Sequence, residues 1–345
     1  MTQVASAPAD VTTRAATSRL DLIFAMRELG IVIALVALVA GTTAANTRFL
    51  SAQSVRDILL GTAIVLLLAV GEAVVVITRN IDLSVGSVLG LSAFGTASLL
   101  RDHPGVPVIG AMLYGLAIGA MCGLVNALVV RYGKVPSLVV TLGTLYVFRG
   151  LDYFWASGSQ INAANLPSGF LHFGSGTVLG VPYLILVALV VLIAVGVYLR
   201  HYRSGRDLYA VGSSPEAAKL AGLRVGRRLL FAFVLSGALA GLGGVLYAAR
   251  FGTVDAAAGS GFELNVVAAV VVGGVAVFGG SGSVYGAALG ALLLTTIGSS
   301  LAVLNISQFW QQAVVGALIL LAIGIDRAVS ARVAATLLRR SSHVR

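Results

Sequence analysis

Three stretches of this sequence, Val181–Leu199, Leu229–Ala249 and Val284–Leu304, run on without a single charged side chain. Each is close to the roughly 20 residues that an α-helix needs to cross the hydrocarbon of a bilayer. Further apolar runs flank them, and the polar residues gather between runs. Charged residues make up 10% of the 345-residue chain and apolar ones 58%, whereas about a quarter of an ordinary soluble domain is charged. Glycine is abundant at 42 residues but has no every-third-residue period, which excludes collagen. With alanine it suits helices that pack closely in lipid, where small residues let backbones approach. The pattern is that of an all-α polytopic membrane protein.

Apolar runs at 29–45, 55–78, 83–100, 107–130, 135–150, 181–199, 229–249, 262–278, 284–304 and 312–326 predict about ten transmembrane helices. They divide the chain into a cytosolic N-terminal tail (1–28), a transmembrane domain (29–326) and a basic C-terminal tail (327–345). An even number of crossings puts both termini in the cytosol. This layout leaves 18 basic residues inside and five outside, Arg48, Arg56, Arg101, Arg149 and Arg250, as the positive-inside rule expects. The longest loop, 152–180, has no Lys or Arg and belongs outside on the same rule. The net charge of +10 is thereby explained by topology, and no nucleic-acid partner is implied. Cys122 lies within an apolar run, and the four histidines have no metal-ligand spacing.

The central interruption, 200–228, reads RHYRSGRDLYAVGSSPEAAKLAGLRVGRR and carries seven Lys and Arg. Ser214 can accept from a free first-turn amide, Pro215 is preorganised at the first helical position, and Glu216 meets the positive helix end. Ala217 and Ala218 continue a short helix, and Gly222 can close it. A polar helix inside an apolar chain points to a cytosolic handle for another protein.

Residues 78–100 are short and glycine-interrupted, with Asn80 and Asp82 ahead of Ser84, Gly86, Gly90 and Gly95. Asp82 can cap the helix that follows. Such a segment suits either a broken helix beside a translocation path or an ordinary span with glycine packing faces. With Thr141, Thr144, Glu263 and Asn265, the residues Asn80, Asp82 and Ser84 are candidate path groups, since hydroxyls, amides and carboxylates can exchange hydrogen bonds with a polyol. They can equally be caps or interhelical bonds. Glu72, an acid inside the second run, can be functional or can pair with Arg79. Gly86-Ser87-Val88 echoes Gly282-Ser283-Val284, as a transporter of two related halves would. No catalytic motif occurs, and neither Lys134 nor Lys219 sits in a Gly-x4-Gly-Lys-Ser/Thr phosphate loop. The chain is therefore not expected to be an enzyme or to hydrolyse ATP.

Four ordered blocks carry a resemblance. They are Asn80-Ile81-Asp82-Leu83-Ser84-Val85-Gly86-Ser87; Pro136 through Thr141-Leu142-Gly143-Thr144 to Arg149-Gly150; Glu216-Ala217-Ala218 with Gly222; and Phe262-Glu263-Leu264 through Gly273-Gly274 and Gly279-Gly280 to Gly290. The chain resembles the membrane permeases of bacterial ABC sugar importers, in the ribose/xylose/arabinose/galactose branch. Residues 252–265 and 307–327 look closer to the rhamnose and autoinducer-2 permeases. The resemblance implies an inner-membrane permease that pairs with a second copy or a paralogue, two cytosolic ATPase subunits and an extracytoplasmic sugar-binding protein. ATP and magnesium would reside on the ATPases, with no cofactor in this chain. It also implies that Tyr209, Pro215, Glu216, Ala217, Ala218 and Gly222 couple the permease to the motor. Within the same fold group, import of branched-chain amino acids or nucleosides is the alternative, and a cation-coupled secondary transporter is a more distant one.

Overall fold

The computed structural model describes residues 29–307, 309–322 and 324; the two tails expected at 1–28 and 327–345 lie outside the described residues. Thirteen helices are described: α1 (Leu29–Ala45), α2 (Ala52–Ile77), α3 (Val85–Asp102), α4 (Val108–Gly133), α5 (Ser137–Ala156), α6 (Ser168–Ser175), α7 (Tyr183–His201), α8 (Arg203–Ser213), α9 (Pro215–Leu220), α10 (Val225–Phe251), α11 (Phe262–Val272), α12 (Val284–Val303) and α13 (Phe309–Ala322). A two-residue hairpin, β1 (Thr177–Val178) with β2 (Val181–Pro182), precedes α7.

The expectation of about ten transmembrane helices is not met. Five helices among the described residues are long and apolar enough to cross a membrane: α2, α4, α7, α10 and α12. The remaining runs fail for identifiable reasons. Helices α1, α11 and α13 are apolar but shorter. In α3, Ser, Thr and Gly interleave with the apolar residues and the helix ends on Arg101-Asp102; α5 carries Arg149 and Asp152 within its length. An apolar run in the sequence is thus not yet a spanning helix, and the even crossing number loses its basis with the count.

Helix α2 is the axis of the molecule. From Leu66 to Ile77 every residue is buried, because α7, α10, α11 and α12 pack around it. The outer helices keep the opposite pattern. Ile109, Leu113, Met121 and Val125 of α4 and Leu138, Tyr146 and Val147 of α5 are exposed, an apolar surface suited to lipid rather than water.

Glycine makes the closest contact. Gly115, Gly119 and Gly123, four apart on α4, meet Gly241, Gly237 and the Phe233 carbonyl on α10. A Cβ on Gly119 would fall 2.8 Å from the Gly241 Cα, so the two backbones touch only because neither has a side chain there.

Candidate functional site

Between α2 and α3 the chain runs from Thr78 to Ser84 without helical bonds, in the midst of the bundle. Irregular backbone at membrane depth must be satisfied by protein, and here every N–H from Arg79 to Ser84 has an acceptor. Arg79 and Asn80 reach back to the Val76 and Val75 carbonyls at 2.8 and 3.3 Å. Ile81 N donates to Ser137 Oγ at 3.2 Å, Asp82 N to Glu72 Oε1 at 3.0 Å, Leu83 N to Thr141 Oγ1 at 3.1 Å and Ser84 N to Asp82 Oδ1 at 3.0 Å. Side chains of α2 and α5 thus replace a turn of helix. Each such bond, if its acceptor were lost, would leave a buried N–H costing about 1–3 kcal/mol.

The carboxylates and hydroxyls continue into a buried polar cluster. Asp82 Oδ1 accepts from Ser84 Oγ at 2.6 Å, and Oδ2 accepts from Ser236 Oγ of α10 at 3.4 Å. Asn126 of α4 donates to Ser84 Oγ at 2.7 Å and accepts from Thr144 Oγ1 of α5 at 2.6 Å. Side chains of α2, α4 and α10 and the residue that precedes α3 therefore converge on one aspartate, and α5 joins them through Thr144 and Asn126. Glu72, Asp82, Ser84, Asn126, Thr141 and Ser236 are all buried, and Glu72 Oε2 has no partner among the described residues.

Of the seven expected path residues, five meet here: Asp82, Ser84, Thr141 and Thr144 in the cluster, and Asn80 at its edge, bonded to the Thr78 carbonyl at 2.9 Å. Asp82 holds the Ser84 N–H two residues on instead of capping the helix start. Glu72 turns to Asp82, not to Arg79. Glu263 and Asn265 lie elsewhere, on the first turn of α11; Glu263 rests against Gly86, in the first turn of α3. Asn126, Ser137 and Ser236 were not among the residues expected from the sequence, because single small polar residues in apolar runs carry no spacing signal.

At one end of the bundle, α8 and α9 form a second feature. Ser214 Oγ accepts from Ala217 N at 3.2 Å, and Pro215 opens α9. Gly222, at φ 79°, lets Leu223 N bond the Ala218 carbonyl and Gly222 N the Lys219 carbonyl, both at 3.0 Å, a closed C-terminal turn. Glu216, Ala217 and Lys219 face outward, Ala218 is buried, and Leu220 is 91% exposed. An ion pair missed in the sequence, Arg228 Nη2 to Asp207 Oδ2 at 2.7 Å, ties α8 to the start of α10 and so brackets α9. Tyr209, one turn ahead of α9 on α8, donates to the Gly282 carbonyl at 3.1 Å. Burial pushes its hydroxyl up to about 12, so it remains a donor at working pH. Gly212 lies against the Ile77 carbonyl, which accepts Gly280 N at 2.9 Å. The polar loop is thereby joined to the last residue of α2, immediately before the irregular segment 78–84.

A buried polar cluster and an exposed capped helix are thus linked through α2. The family described as "Branched-chain amino acid transport system / permease component" matches residues 54–323. The chain belongs to that family. Among its relatives are the autoinducer-2 import system permease protein LsrC of Enterobacter sp., 38% identical over 301 residues (87% of this chain, 86% of the relative), and the ribose import permease protein RbsC of Escherichia coli, 34% identical over 296 residues (85% and 92%). The D-allose transport system permease protein AlsC of Escherichia coli is 32% identical over 283 residues (82% and 86%). No solved structure matches the chain significantly. The protein is a multi-pass membrane permease component of the sugar-type ABC importers and is not itself catalytic; ATP hydrolysis occurs in a separate partner. Membership implies an import system with ATPase subunits and a periplasmic binding protein.

Proposed function

We propose that this permease carries a monosaccharide or related small polyol, of the autoinducer-2, ribose or allose kind, across the bacterial inner membrane. It does so as one of two permease subunits, driven by two ATPases that grip α9. The observation that carries the reading is the construction of α9: a helix capped at both ends, clamped by Asp207–Arg228 and presenting Glu216, Ala217, Lys219 and Leu220 outward. A handle transmits force only if it is stiff at both ends. Pro215 and Gly222 supply the stiffness, Ala218 seats the helix on the bundle, and Tyr209 passes its displacement to the 279–282 turn. Leu220 offers an exposed apolar side chain for the partner to cover.

The polar cluster lies on the path and is closed in this conformation. Opening it would exchange the bonds of Asn80, Asp82, Ser84, Thr141 and Thr144 for bonds to polyol hydroxyls, while Glu263 holds the start of α3. The basic loop 200–228 faces the cytosol on the positive-inside rule. On the same rule the arginines of residues 1–28 and 327–345 assign both tails to that side, which takes an even number of crossings and so at least one beyond the five long apolar helices.

The test is Glu216→Lys in the permease reconstituted with its ATPases and binding protein. Loss of uptake with ATP hydrolysis retained is the expected result. Undiminished coupled uptake would refute the handle, as would labelling of residues 205–222 from the extracellular face.

A further inference from the structure

One cavity among the described residues is far from α9. It measures about 830 Å³ and is bounded by the first turns of α2, the end of α10, the start of α11, the second half of α12 and Gln311 of α13. Its size lies within the range of small-molecule sites, about 300–1,000 Å³. Ser54 to Ile77 is 24 residues of continuous helix, a rise of about 34 Å at 1.5 Å per residue, and the handle adjoins Ile77 whereas the cavity begins at Ser54. The hydrocarbon core is about 30 Å thick. Cavity and handle therefore occupy opposite faces of the membrane.

The wall is mixed, with Ile58, Val65, Leu294 and Val303 among its apolar residues and several polar side chains set between them. Asp57, Arg250, Asn265, Thr295, Ser299 and Gln311 line it, with Phe262 beside them. Arg250 can reach in because Gly61 has no side chain: a Cβ there would sit 3.2 Å from Nη1 and 2.8 Å from Thr295 Cγ2. Among the described residues the guanidinium makes one long bond, Nη2 to the Asp57 carbonyl at 3.5 Å, and keeps its other donors for a guest. Asn265 spends its amide N–H on Gly261 O at 3.1 Å, leaving the carbonyl to accept.

We infer that this cavity is the receiving site for the transported solute on the extracytoplasmic side, and that it binds a neutral polyol. Arg250 and Gln311 donate to ring and carbonyl oxygens, Asn265 and Asp57 accept from hydroxyls, Thr295 and Ser299 do either, and the Phe262 ring covers an apolar C–H face. Both signs of charge are present at Asp57 and Arg250, so no net charge selects an anion or a cation. The inference rests on the import reading above and adds the residues and the face.

The experiment uses the full permease with its ATPases and binding protein in intact spheroplasts, with Cys122→Ala and a single cysteine at Thr295 or Ser299. A membrane-impermeant maleimide added outside labels either cysteine at least tenfold faster than it labels the native chain, whose Cys122 is buried. Ribose or D-allose slows labelling at least threefold, and leucine does not. Labelling only after the membrane is breached overturns the inference, as does labelling that neither sugar slows, or protection by leucine. Uptake of ribose and allose by the unmodified assembly is measured alongside. Uptake without protection sinks this site alone, whereas protection or uptake confined to leucine sinks the sugar reading with it.

Discussion

Glu72 Oε1 accepts the backbone N–H of Asp82 at 3.0 Å, so a side chain on α2 closes the turn that leads into α3. The carboxylate serves here as a substitute helix carbonyl, and its second oxygen has no partner among the described residues. Replacing it by Leu leaves the Asp82 N–H buried and unbonded; Gln keeps an acceptor of the same reach. Glu72→Leu is expected to lose about 1–3 kcal/mol and Glu72→Gln markedly less. Thermal unfolding of the detergent-solubilised permease reads the difference, and equal losses would mean that the hydrogen bond is not what the carboxylate provides.

Asn126 joins α3 to α5 through Ser84 and Thr144. Because both bonds run through one amide, Asn126→Ala and Thr144→Val remove overlapping interactions. Their combined cost is expected to fall short of the sum by about 0.5–3 kcal/mol, the range for residues in one network. Strict additivity in a double-mutant cycle would place the two residues in separate environments.

The sequence revealed these features unevenly. Helix α9 was legible because its determinants are local: Ser214, Pro215 and Gly222 act within a few residues of one another. The apolar runs were legible as well, but not their division into five long spans and several shorter or polar helices, since α5 runs on through Arg149 and Asp152 whereas α11 stops at Gly273. Ser137, Ser236 and the Asp207–Arg228 pair were hidden, as each acquires its role from a partner on another helix. Asp57 and Arg250 read only as charges near span ends, and packing alone brings them to one cavity.

Two glycines give opposite expectations. Gly119→Ala forces α4 away from the Gly237 and Gly241 backbone, with no flexible side chain to yield, and should sharply lower the yield of folded permease. Gly143 in α5 is exposed with nothing within 4 Å of a Cβ. Gly143→Ala should be neutral or add roughly 0.5–1 kcal/mol through reduced backbone freedom. Size-exclusion profiles and melting curves of the pair check both.

The Asp207–Arg228 ion pair is half-sheltered and fixes the base of the handle. Either single neutral variant, Asp207→Asn or Arg228→Gln, should reduce solute moved per ATP hydrolysed while leaving hydrolysis in place. The double variant should be little worse than either single one, because the second change removes nothing further. A double variant with twice the logarithmic loss would assign the two side chains independent tasks.

Gly222 offers a cleaner test of stiffness, since a Cβ there meets nothing within 4 Å and the penalty is purely conformational. At φ 79° an L-residue costs about 1–2 kcal/mol, and the strain is relieved by opening the bonds from Leu223 N to Ala218 O and from Gly222 N to Lys219 O. Gly222→Ala should therefore fray the C-terminal turn of α9 and lower coupled uptake without lowering the amount of permease in the membrane. Gly222→Asn, which tolerates the left-handed region better, should fall between the two. The order Gly, Asn, Ala in uptake per ATP would tie coupling to the closed turn, whereas equal uptake in all three would show that the ATPases grip α9 whether or not its end is fixed.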